Sequence, residues 1–180
     1  MPIAYKDLPN YTIEDYAKWE GNWELISGIP YAMTPSPLYT HQRTGVRISW
    51  QLEDKLQNCA HCTAVHEIDW YVTHDTVLRP DNLVICYKPE GERLDKTPSV
   101  VFEIVSPNSA RQDENIKFEI CEREGVRYYI LVYPENTVAK VYHHAGGKFV
   151  KIADATNDKI LFDLGDCSFE FDFSLIWQRV

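Results

Sequence analysis

The chain has 180 residues, of which 44% are hydrophobic and 25% charged, and its formal net charge is −9. That length makes one ordinary domain, residues 1–180, able to bury a core of its own. The acidic balance argues against a protein that grips nucleic acid tightly and nonspecifically through Lys and Arg, and no apolar run approaches a membrane span.

In chain order, Met1-Pro2-Ile3-Ala4-Tyr5-Lys6-Asp7 lacks a hydrophobic signal core, so a cytoplasmic protein is expected. Thr12 to Trp19 reads as a short helix, with Thr12 as cap and Asp15 three residues on. Trp23 to Gly28 and Pro30 to Met33 form a predicted hairpin around Gly28. Thr34-Pro35-Ser36-Pro37 forces a loop before a long helix, Leu38 to Gln57, with Leu38, His41, Gly45, Ile48, Leu52 and Leu56 on its buried face. Strands follow over Thr63–Val72, Arg79–Tyr87 and Ser99–Ser106. A second helix runs from near Ser109 to a glycine cap at Gly125. Val126–Tyr133 is the next strand, stopped by Pro134. Thr137–His143 and Lys148–Ile152 pair as a hairpin around Gly146-Gly147. The tail, Ile160 to Trp177, alternates as one more strand and an end segment. This order predicts an α/β fold, a central mixed sheet flanked by helices on both faces.

Two carboxylates interrupt the apolar strands. Asp81 opens Arg79-Pro80-Asp81-Asn82-Leu83-Val84-Ile85, and Glu103 sits inside Val100-Val101-Phe102-Glu103-Ile104-Val105. A carboxylate inside such a run loses hydration and needs a partner or a cation. Alternation puts Asp81, Leu83 and Ile85 on one face and Val101, Glu103 and Val105 on one face of the neighbouring strand. If the two acids meet, they repel unless a divalent cation lies between them, and the Ile104 carbonyl would be a third oxygen. Magnesium suits so few hard protein oxygens, with Mn2+ as a possible substitute. Lys117, at the margin of the second helix's apolar stripe beside Ile116 and Ile120, is placed to reach the same sheet edge.

These residues carry a resemblance. The order Asp81, then Glu103 in Glu103-Ile104-Val105-Ser106-Pro107, resembles the PD-(D/E)xK nuclease superfamily. With Trp23-Glu24-Leu25-Ile26-Ser27-Gly28, Ser36-Pro37 before His41-Gln42, Asp113 with Lys117, and Gly125-Val126-Arg127-Tyr128-Tyr129, the chain is similar to the Uma family of candidate restriction endonucleases. The resemblance implies a restriction-endonuclease-like fold with core order αβββαβ and additional N- and C-terminal strands. It implies a metal-dependent endonuclease on DNA, a homodimer, with Asp81 and Glu103 as metal ligands and Lys117 as the electrostatic, water-orienting group. Glu24, His41, Gln42 and Asp113 would line the pocket. The superfamily's lysine lies two residues after the glutamate, where this chain has Val105, so the lysine role moves to Lys117.

Plainer readings stand beside these. Asp81 can be a strand-start residue, Glu103 a simple salt-bridge partner of Lys117, and His41 a core histidine. Glu24 can pair with Arg43 or Arg47, and Asp113 can favour a helix N-terminus by its charge. The nuclease fold can also serve as an inactive binding or assembly module, or act on RNA or branched DNA. Five cysteines without framework spacing read as free thiols in a reducing compartment, and Cys59-Ala60-His61-Cys62 with His66 has only half of a zinc ligand set.

Overall fold

The computed structural model describes residues 8–33 and 38–177. The loop expected at 34–37, with the Ser36-Pro37 match, lies outside them. A short helix α1 (Ile13–Tyr16) follows Thr12, whose N–H bonds the Asp15 carboxylate at 3.0 Å. Strands β1 (Trp23–Ile26) and β2 (Ile29–Ala32) form the expected hairpin. Ser27 and Gly28 both take positive φ, 50° and 75°, the turn geometry that matches strand twist.

Helix α2 (Tyr39–Leu56) buries Gly45, Ile48, Leu52 and Leu56 as predicted. Leu38 does not join that face: it is the extended N-cap residue and 61% exposed. Strand β3 (Thr63–His66) comes next. The single strand predicted to Val72 breaks after His66, because Glu67 takes a positive φ of 45° and the chain changes sheets. Strand β4 (Trp70–Thr73) then pairs with β5 (Thr76–Leu78), a short strand the sequence pattern did not reveal.

The main sheet is completed by β6 (Asn82–Ile85), β7 (Val100–Ile104), β8 (Tyr128–Tyr133), β9 (Val138–Ala145) and β10 (Lys148–Ala155), in the order β10-β9-β8-β7-β6-β3. Only β7 and β8 run parallel among these neighbours, and the segment between them crosses over as a helix. That segment opens with a π-helical turn at Gln112–Ile116 and continues as α3 (Lys117–Arg123). β6 and β7 are buried throughout, because both faces of the sheet are covered. Ile48, Leu52 and Leu56 of α2 pack with Val84, Phe102 and Ile130 on one face, and Ile120 and Cys121 of α3 with Leu83, Val101 and Leu131 on the other.

The tail departs from its prediction. It forms a separate hairpin, β11 (Lys159–Asp163) with β12 (Ser168–Asp172), whose Phe162, Phe169 and Phe171 join the α2 side of the core. The expectation of free thiols is also corrected. Cys59 pairs with Cys167 and Cys62 with Cys86, leaving Cys121 as the buried free thiol. The turn after α2 lies against the end of β6 and the β11–β12 turn, contacts made between residues distant in sequence. Among the described residues, no helix is long and apolar enough to cross a membrane.

Candidate active site

Antiparallel register brings the two strand carboxylates together. Asn82 pairs with Phe102 and Val84 with Val100, so the step before β6 sets Asp81 across from Glu103. Both face the α3 side of the sheet with Leu83, Val101 and Leu131, and both are buried. Asp81 is held from two sides: its Oδ2 accepts the Ile104 N–H at 2.7 Å and lies 3.3 Å from His41 Nε2. His41 comes from the first turn of α2 and is half-buried, neither a simple core histidine nor fully exposed.

Lys117 supplies the cation. Its Nζ is 3.1 Å from Glu24, 3.3 Å from Glu103 and 3.2 Å from Asp113, and the residue is buried. The four elements converge for separate reasons. Alternation in β7 turns Glu103 inward. The β1–β2 hairpin presents Glu24, whose Oε1 also accepts the Arg79 N–H at 2.8 Å just after β5. The π-turn places Asp113 one turn before Lys117, and the Tyr129 hydroxyl of β8 donates to the Asp113 carbonyl at 2.8 Å. π-turns of this kind recur at functional sites.

Electrostatics follows from burial and company. Burial pushes the Glu103 carboxyl well above the ordinary range against the pull of Lys117, with Asp113, Asp81 and Glu24 adding to the rise. Burial also raises Glu24, less strongly. Burial works against the Lys117 ammonium, but Glu103, Glu24 and Asp113 outweigh it and hold its pKa well above normal. For Asp81 the burial penalty is overcome by His41, by Lys117 and by the Ile104 N–H, so its carboxyl lies low. His41 rises in turn, since Asp81 outweighs its desolvation. The result is four carboxyl groups around one ammonium and one imidazole, with burial favouring the neutral forms of Glu103 and Glu24 and the charged form of Asp81 held by its partners.

The predicted residues therefore separate into two groups. Asp81, Glu103, Lys117, Glu24, Asp113 and His41 are brought together. Gln42 is not: its amide points to Glu67 at 3.4 Å. Glu24 pairs with neither Arg43 nor Arg47, and Asp113 serves Lys117 rather than only a helix terminus. Val105 packs into the apolar cluster on the α3 side, and the lysine near Glu103 is Lys117, from the helix rather than from the strand. Sequence reading missed the Arg79 and Ile104 N–H groups that fix Glu24 and Asp81, because backbone donors leave no mark in side-chain patterns.

The donor set fits a hard divalent cation. Among the described residues, Asp81 Oδ1 and Glu103 Oε2 make no hydrogen bond, leaving one open oxygen on each facing acid. Among the same residues no group of three or more His, Cys, Asp or Glu is placed to hold a metal ion. Magnesium needs none, since it keeps waters and substrate oxygens beside one or two carboxylates. A groove of about 640 Å3 flanks the site, lined among others by Glu67, Asp69, Tyr71, Arg79 and Arg93. It meets the cluster only through Arg79, and its acids outnumber its arginines, which disfavours a phosphate chain there.

A mixed sheet covered by helices on both faces, with paired strand-end acids and a lysine, defines a restriction-endonuclease-like fold. A crystal structure of a "putative nuclease" from Anabaena variabilis ATCC 29413 shares it, with a TM-score of 0.75 over 93% of this chain and 97% of that one at 15% identity. No curated protein matches the chain. Residues 13–162 match the family described as "Putative restriction endonuclease" (Uma2), and the chain belongs to that family.

Proposed function

We propose that this protein is a metal-dependent nuclease that hydrolyses phosphodiester bonds, with DNA as the substrate. The observation that carries the reading is Asp81 set across the β6–β7 ladder from Glu103, with the Lys117 ammonium 3.3 Å from Glu103. Asp81 and Glu103 would hold Mg2+, with Mn2+ as substitute, and the ion would supply Lewis-acid polarisation of the phosphate and a more acidic water. Lys117 would offset charge growing on the phosphoryl oxygens and orient the attacking water. His41 holds Asp81 in place and can exchange a proton at Nε2, whereas Glu24 and Asp113 fix the ammonium.

The test is cleavage of supercoiled plasmid and single-stranded DNA, comparing wild type with Asp81→Asn in magnesium, manganese or chelator. Asparagine keeps an oxygen for the Ile104 N–H, so the fold is expected to survive. Nicking that needs metal and disappears in the variant supports the reading. Folded wild-type protein inactive on these substrates, on RNA and on branched DNA in either metal would overturn it. The chain would then use the Lys117 cluster as the structural centre of a binding module.

A further inference from the structure

Helix α2 has two faces, and the site uses only one. Opposite the core-facing Gly45, Ile48 and Leu52, the outer face carries Tyr39 (75% exposed), Val46 (53%) and Trp50 (62%). Large apolar side chains at such exposure along one helical stripe mark a surface that meets a partner. Arg43 and Arg47 flank the stripe toward its N-terminal half and Asp54 toward its C-terminal half. Among the described residues neither arginine has an acid within ion-pair distance, and Asp54 has only the exposed Lys55 at 3.4 Å.

We infer that this face pairs with the same face of a second copy of the chain, α2 packed antiparallel to α2 across a twofold axis. The charges choose this occupant. Arg43 and Asp54 are about three helical turns apart on the same side of the stripe. A twofold axis beside residues 48 and 49 sets each Arg43 against the partner's Asp54, and a self-complementary patch is what such an axis requires. The same register lays Arg47 over the partner's Trp50, a guanidinium against an indole face. It also buries Val46 and Trp50 at the centre. A nucleic-acid strand would gain from the arginines but meet Glu53 and Asp54 at the far end. His41 projects from the other side of α2, so the pairing leaves the Asp81–Glu103 edge open. The inference does not depend on the nuclease reading.

The experiment is sedimentation velocity over a concentration series, with circular dichroism to confirm folding. Wild type is expected to dimerise reversibly, and Arg43→Asp or Asp54→Arg each to raise the dissociation constant by about tenfold or more, since each places like charges at both contacts. Mixing the two single variants restores both opposite-charge contacts in the mixed dimer, so association is expected to return to near the wild-type level. Monomeric wild type throughout, unchanged association of the single variants, or a mixture no tighter than its components would each overturn the pairing. Trp50→Ser provides a check independent of charge, and its full retention of dimer would also refute it.

Discussion

Lys117 decides the character of the site at the scale of single residues. A buried ammonium among Glu24, Glu103 and Asp113 is held by charge-assisted contacts, and Asp113 Oδ1 has no aligned hydrogen bond at all. Removing one partner of a buried ionic cluster costs more than the cluster contributes, because the remaining charges stay desolvated. Lys117→Ala is therefore expected to destabilise the fold by about 3–5 kcal/mol, read as a lower urea midpoint. Adding Glu24→Gln should recover part of that loss, and strictly additive effects would refute the shared cluster. The same cluster shows what a sequence can disclose about a site. Asp81 and Glu103 were legible because a carboxylate in a Val/Ile/Phe run is conspicuous. The Lys117 partnership was legible only as reach, since whether an ammonium meets a metal site or simply an acid depends on ångström-scale placement.

Elements bring these residues within reach, and the β1–β2 hairpin does so on a demanding turn. Gly28 has a φ of 75°, and a Cβ there would lie 3.1 Å from the Asn10 Cα and closer still to its side chain. Gly28→Ala is expected to cost about 1–2 kcal/mol from the left-handed conformation alone. Because this hairpin carries Glu24, cleavage should fall along with the thermal midpoint. An unchanged midpoint would show that the turn tolerates a side chain. Hairpin, helices and central strands were all visible as runs and punctuation in the sequence. The break after His66 was not, since Thr63 to Val72 reads as continuous β pattern and the division depends on which sheet each half joins. The β11–β12 hairpin was half-seen for the same reason: its alternation was clear, but its pairing partner was not.

Over the whole molecule, two disulfides tie the turn after α2 to the end of β6 and to the C-terminal hairpin. Cys59–Cys167 spans 108 residues, the kind of closure that removes much freedom from the unfolded chain. Full reduction is expected to lower stability by about 2–5 kcal/mol, measured by denaturation with and without a phosphine reductant. Identical curves for verified oxidised and reduced protein would show that the bonds add nothing beyond the core they lie against. Such pairings escape sequence reading because spacing constrains only neighbours, and Cys167 lies far from the Cys59-Ala60-His61-Cys62 turn in the chain.

Among the described residues every lysine but Lys117 is exposed or half-exposed. Acylation of an amine requires a neutral nitrogen and room for a bulky reagent, and in the folded chain Lys117 is buried and held charged by Glu103, Glu24 and Asp113. Amine-directed reagents will thus modify the surface lysines first and reach residue 117 only when the molecule opens. Its mass-spectrometric labelling rate becomes a clock for that opening, readable at a single position without attaching any probe.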